Sequence, residues 1–255
     1  MTFSVKKAGR PLLLVTLVTW LSGCAIFGGD DGPEPAKLKS FKEEVDIKSI
    51  WSRNLGQGAE DHAIRLVPAF SGSRVYGASA DGNIVAVDSG TGKLIWEIDV
   101  TDFYDEAAKA ISFADDIDVI TGGVGLGNDM VVVGVTAGDI VAVSANDGSL
   151  LWKAKTSSEV LAPPVIARNR VFVQSIDGKV AAYEAETGER DWVYSTTIPS
   201  LTLRGTSTPV LGDDFLIAGF SNGRITMLNQ EQGLVGVEQR VGVSQGKSDL
   251  ERLVD

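Results

Sequence analysis

The sequence predicts an all-β protein, a β-propeller of four-stranded antiparallel blades, and three observations carry that expectation. One pattern recurs four times: AVDSGTGKLIW over residues 86–96, then worn copies over 142–152, 182–192 and 227–237. Four turn glycines, Gly82, Gly138, Gly178 and Gly223, stand at intervals of 56, 40 and 45 residues, and each is followed ten residues later by another, Gly92, Gly148, Gly188 or Gly233. Four residues further on come Trp96, Trp152 and Trp192, with Val237 in the fourth copy. A period of about 40–50 residues with four strands per unit is the signature of propeller blades. One blade cannot bury both of its faces, so the units must stack.

The N-terminal elements differ from this array. Lys6, Lys7 and Arg10 precede a short apolar run from Pro11 to Leu21, well below the roughly 20 residues a membrane-spanning helix needs. The run ends at Leu21-Ser22-Gly23-Cys24, and Cys24 is the only cysteine. This resembles a bacterial lipobox, which implies a signal peptide over residues 1–23 and lipid on Cys24. Cleavage there removes three basic and no acidic residues and takes the net charge from −11 to −14. Alanine rather than aspartate at Ala25 implies, by the same resemblance, an outer-membrane anchor facing the periplasm. Residues 24–47, rich in Gly, Pro and charge, read as a flexible tether, leaving 48–255 as the propeller domain.

Within the propeller, Asp81-Gly82, Asp177-Gly178 and Asn222-Gly223 predict hairpins closed by type I′ turns, with positive φ at both central residues. Pro68, Pro164 and Pro209 lie fourteen residues ahead of a turn glycine, and Val124 takes that place in the second unit. The long first interval predicts an acidic insertion over 102–122, with a short helix near Glu106–Ile111. The run from Gly122 to Gly127 reads as a connection into a strand, since no phosphate-loop lysine or dinucleotide fingerprint follows it. Ile50-Trp51 resembles the fourth strand of a unit whose first three are missing, as in rings closed by an N-terminal strand. Only fourteen residues follow Val241, so the expectation is a piece of a ring of about eight blades with about four present. Trp51, Trp96, Trp152 and Trp192 are expected to wedge between blades, each indole N–H on a backbone acceptor.

The chemistry excluded is as informative. With 34 acidic against 23 basic residues, the surface lacks the clustered cations that bind nucleic acid. His62 is the only histidine, which rules out His-based metal clusters and Ser-His-Asp triads within the chain. The acidic run Asp99, Asp102, Asp105, Glu106, Asp115, Asp116 and Asp118 lacks the spacing of a calcium loop and reads as a solvated face. No catalytic residue, metal site or cofactor site is expected, and a single cysteine leaves no intrachain disulfide.

Residues 86–96 match the tryptophan-docking repeat A-x-D-x-x-T-G-K-x-x-W of the pyrroloquinoline quinone enzyme superfamily at every defined position. Together with the lipobox, the acidic tether and the orphan Trp51 strand, they make the chain resemble the outer-membrane protein assembly factor BamB family over essentially its whole length. The most specific motif is PSLTLRG over residues 199–205, where the family carries P-S-L-S-L-R-G. The resemblance implies a lipid-anchored periplasmic scaffold that docks the periplasmic domains of the barrel subunit BamA. It assigns partner contacts to Leu201, Leu203 and Arg204, and places Asp255 in a companion acidic loop. It also implies a role in outer-membrane protein assembly; separately from the resemblance, an exposed blade edge offers a place where unfolded clients could pair as an added strand. Independently, an extended backbone puts Leu201 and Leu203 on one side of Thr202, beside a guanidinium, which is a hot-spot composition. The alternative at this loop is that the leucines cover the core and Arg204 is a solvated turn residue. Two other functions share the repeat. A quinone-dependent dehydrogenase is one, although a single cysteine excludes the vicinal disulfide common there. A propeller lipoprotein binding a ligand or the cell wall is the other.

Overall fold

A computed structural model describes residues 37–38, 44–59, 64–104, 119–200 and 204–242. The chain divides into two units, Met1–Lys48 and Ser49–Asp255. Among the described residues the second unit holds sixteen strands in four sheets, each sheet taking its four strands in chain order. Blade 1 comprises β1 (Ala69–Ser71), β2 (Arg74–Ala78), β3 (Asn83–Asp88) and β4 (Leu94–Asp99). Blade 2 comprises β5 (Ile120–Gly127), β6 (Met130–Val135), β7 (Asp139–Ser144) and β8 (Leu150–Lys155). Blade 3 comprises β9 (Val165–Ala167), β10 (Arg170–Ser175), β11 (Lys179–Glu184) and β12 (Arg190–Ser195). Blade 4 comprises β13 (Val210–Leu211), β14 (Phe215–Phe220), β15 (Arg224–Asn229) and β16 (Val235–Arg240). All the ladders are antiparallel.

The core lies between blades rather than inside any of them. In blade 2, Val131, Val133, Val141 and Val143 join a cluster with Tyr76, Ile84 and Trp96 of blade 1. The alternate residues Met130, Val132, Ile140 and Ala142 join Val171, Val173 and Tyr183 of blade 3. A third cluster joins Phe172, Val180 and Ala182 to Leu216 and Leu228. Successive side chains point to opposite faces of a strand, so each middle strand feeds two interfaces and reads as a continuous apolar run. Pro68, Pro164 and Pro209 sit directly before β1, β9 and β13, where a missing N–H takes nothing from the ladder. In blade 2 this place is mid-strand, and the Val124 N–H donates to Val67 O at 3.0 Å.

The hairpins form where expected, but their turns are of a different type. In blade 1, Gly82 N–H donates to Ser79 O at 3.2 Å and Ser79 N–H to Asn83 O at 3.0 Å, closing three residues rather than two. Gly82 has φ +89°, whereas Asp81 is absent from the positive-φ residues, which among described non-glycines are Asn128, Asp129 and Arg168. This is a type I turn followed by a left-handed glycine, the second commonest hairpin solution. A two-residue turn with positive φ at both positions does occur, at Asn128-Asp129 between β5 and β6, where the sequence pattern had placed none.

The glycine-rich run expected to be a connection is instead strand β5. Glycine serves there because neighbouring backbone comes close: a Cβ on Gly122 would stand 2.6 Å from Val160 O. The acidic insertion is correspondingly shorter, opening with a single 3₁₀ turn over Val100–Phe103. The expected helix at 106–111 lies outside the described residues.

Each blade also carries a bulge before the fourth-strand position held by Trp96, Trp152 and Trp192 in blades 1 to 3 and by Val237 in blade 4. Ala86 pairs with Trp96 but Val87 with Leu94, so Ile95 is extra. The same step occurs at Ala142/Val143, Ala182/Tyr183 and Met227/Leu228. A bulge re-aims the following side chain, and here it turns the indole towards the next blade. Residues 51–55 join no ladder among the described residues, although Trp51 docks as the others do.

Candidate docking site

The blades are locked together at both ends of their strands. At one end each indole N–H donates to a backbone carbonyl of the following blade. The contacts are Trp51 to Ser89 O at 2.8 Å, Trp96 to Ala145 O at 3.1 Å, Trp152 to Ala185 O at 2.7 Å and Trp192 to Gln230 O at 3.1 Å. In all four the acceptor lies three residues before the second repeat glycine, and the ring lies on that glycine. A Cβ on Gly188, whose φ is +72°, would fall 2.6 Å from the Trp152 ring. The turn itself is tied by a side-chain oxygen: Asp88 Oδ1 accepts from Thr91 N and Oγ1 at 2.8 and 2.7 Å. Those bonds hold the Asp88 carboxyl below the usual carboxylate range.

At the other end the connection between blades is hydrogen-bonded to the polar residue of the next blade's second turn. Asp81 Oδ2 accepts from Gln57 N at 3.0 Å, Asp139 Oδ2 from Tyr104 OH at 3.0 Å, and Asp177 Oδ2 from Ser157 Oγ at 2.7 Å. Asn222 Nδ2 donates to Thr197 O at 2.8 Å. Burial raises the Asp177 carboxyl, but hydrogen bonds from Lys179, Ser175 and Ser157 outweigh it and leave the group lowered. Burial, then the Asp139 carboxylate, raises the Tyr104 hydroxyl, so Tyr104 remains a donor at neutral pH. This second set of locks escaped sequence reasoning, because its offsets vary with connection length.

Arg204 lies on this connection face. Its Nη2 donates to Glu159 Oε1 at 2.5 Å, with the arginine side chain 36% exposed and the glutamate 12%. Glu159 and Arg204 each stand five residues before a blade proline, Pro164 and Pro209, so the pair joins equivalent positions of adjacent connections. The two connections then diverge. After Glu159 come Val160, Leu161 and Ala162, all buried; Val160 bridges to Ser175 and accepts from Thr121 Oγ1 at 2.7 Å. After Arg204 come Gly205, Thr206 and Ser207, small or polar, and a cavity of about 680 Å³ opens between blades 3 and 4.

Of the residues singled out from sequence, the four tryptophans sit at blade junctions and Arg204 sits at the rim of this cavity. Leu201, Leu203, Asp255, Cys24 and His62 lie outside the described residues. Glu159 was missed; its signal was the shared offset from the blade proline. Among the described residues, no group of three His, Cys, Asp or Glu could hold a metal ion.

The family model described as outer membrane protein assembly factor BamB matches residues 45–110 and 105–255. The protein of that name from Yersinia pestis is 31% identical over 252 residues, covering 96% of this chain and 62% of its own length. The crystal structure of BamB from Moraxella catarrhalis superposes with a TM-score of 0.63 at 26% identity, covering 76% of this chain and 54% of that one. A quinohemoprotein alcohol dehydrogenase from Comamonas testosteroni gives 0.51 at 18% identity, covering 68% and 34%, a likeness of fold alone. The chain spans about three fifths of the length of the curated relatives it matches.

Proposed function

The chain belongs to the family of the outer membrane protein assembly factor BamB, and from that premise we propose that it is a non-enzymatic scaffold for assembling outer-membrane β-barrels. In this reading the propeller docks the periplasmic domains of the barrel subunit BamA, and lipid on Cys24 holds it at the outer membrane. Residues 24–47 form the tether and 48–255 the docking domain. The observation that carries the reading is the family match across residues 45–255.

The geometry around Arg204 supports where docking takes place. The guanidinium has five N–H donors, and Glu159 engages one terminal nitrogen, leaving donors for a partner. Pairing also fixes the side chain before a partner arrives, which reduces the entropy lost on binding. The connection that carries Arg204 starts from Thr196 and Thr197, both held by Asn222 Nδ2, so the blades supply a rigid base. Leu201, Leu203 and Arg204 are then the anchor, with Asp255 in the companion acidic loop.

The test is capture from cells. Affinity purification of the barrel subunit from detergent-solubilised membranes is expected to bring down the full-length protein. Absence of the protein from that complex, when it is present in the membranes, rejects the proposal.

A further inference from the structure

We propose that the cavity between the hairpin turns of blades 1 and 2 is a site for a small polar ligand carrying a carboxylate beside a hydroxyl or an ammonium group. The cavity lies at the turn end of the strands, away from the connection face that carries Arg204. It goes beyond the docking role above and does not rest on it.

The cavity holds about 320 Å³, within the range of small-ligand sites. Ser73, Arg74, Asn128, Asp129 and Asn146 give it a polar wall. Arg74 Nη1 donates to Ala145 O at 2.8 Å and to Asn146 O at 3.3 Å. Ala145 O also accepts from Trp96 Nε1 and Tyr76 OH, each at 3.1 Å, and a carbonyl has only two lone pairs. The guanidinium is therefore positioned by a carbonyl it must share. Its Nε and Nη2 have no acceptor among the described residues.

Blade 3 supplies the template. Arg170 holds the same repeat position as Arg74, the first residue of a blade's second strand, and its Nε lies 2.8 Å from Asp191 Oδ2. Asp191 directly precedes Trp192, and the corresponding residue before Trp96 is Ile95, which accepts nothing. Among the described residues Arg74 has no carboxylate partner, whereas Arg168, Arg170, Arg204 and Arg224 each have one. Hydrogen bonds between ionised groups are the strong ones, so a ligand carboxylate restores at Arg74 what Asp191 gives Arg170. Asp129, in the β5–β6 hairpin of blade 2, is acceptor-only when ionised and repels a bare anion. The ligand must therefore carry a donor beside its carboxylate, and a hydroxyl or an ammonium group serves.

The full chain is titrated calorimetrically with D-glucuronate and with L-serine, each beside its methyl ester. Saturable binding of at least one acid is expected, weakened at least about tenfold in the ester. Binding of glucuronate alone assigns the ligand's donors to hydroxyls and binding of serine alone to an ammonium, and either result supports the site. Arg74→Gln is expected to weaken binding by a similar factor. Ile95→Asp, which copies blade 3 at a position 40% exposed, is expected to abolish binding without lowering the melting temperature. Absence of saturable binding by both acids overturns the site. So does an ester that binds as its acid does, or an Ile95→Asp variant that binds as the parent does.

Discussion

Glu159 and Arg204 occupy the same repeat position in consecutive blade connections, and their side chains meet at 2.5 Å. The contact ties the connection entering blade 3 to the one entering blade 4, on the face that carries the proposed docking loop. Because the arginine is partly exposed, its coupling to Glu159 should be modest, about 1 kcal/mol. A double-mutant cycle with Glu159→Ala and Arg204→Ala in urea unfolding measures it. A coupling within error of zero would show that the pair does not fix the loop.

The blade junctions should dominate stability. Trp152→Ala removes a buried indole and is expected to cost roughly 3–5 kcal/mol. Trp152→Phe keeps most of the ring but strands Ala185 O, at about 1 kcal/mol. Equilibrium denaturation of both variants checks the order; equal losses would mean that the hydrogen bond to Ala185 carries the junction.

Gly188 faces two demands, a φ of +72° and an indole lying where a Cβ would stand. Gly188→Ala should therefore cost about 2–4 kcal/mol, combining backbone strain with overpacking. Gly58, also at positive φ but with nothing near its Cβ position, carries only the first cost. Comparing Gly188→Ala with Gly58→Ala in chemical denaturation separates the two effects, and equal losses would contradict the packing account.

The repeat was legible wherever one turn sets a fixed offset. Gly92, Gly148, Gly188 and Gly233, with Trp96, Trp152, Trp192 and Val237 four residues on, share one turn-and-bulge geometry, so their spacing is constant. The connections have no such constraint, and the Glu159–Arg204 pair and the locks at Asp81, Asp139, Asp177 and Asn222 emerged only from the fold. Asp-Gly reported a turn but not its type, because the same dipeptide ends a type I turn when the ladder closes around three residues. Gly122 to Gly127 looked like a loop because glycine is depleted in strands. At Gly122 and Gly125 the cause is the backbone of Val160 and Pro164 pressed against them, and at Gly123 and Gly127 it is the side chains of Val133 and Ile166.

Acid should loosen the locks at Asp81 and Asp177, whose carboxyls are both lowered. Asp177 has a lowered folded pKa, so its contribution is present above the unfolded value of about 4 and is lost as pH falls through the folded value. Asp177→Asn should therefore destabilise at pH 7 yet cost little in strong acid, flattening the fall in melting temperature below about pH 4. Asn222 already plays this part in blade 4. Thermal melts of both proteins across the acid range check it; parallel curves would refute the role of Asp177.

The central claim is that the connection at 201–204 docks the barrel subunit. Its most direct measurement is the affinity of the full-length protein for the purified periplasmic domains, with Leu201, Leu203 and Arg204 changed together to alanine. The account expects affinity to fall at least about tenfold while the melting temperature stays at the parent value. Unchanged affinity in a variant that melts like the parent would contradict it.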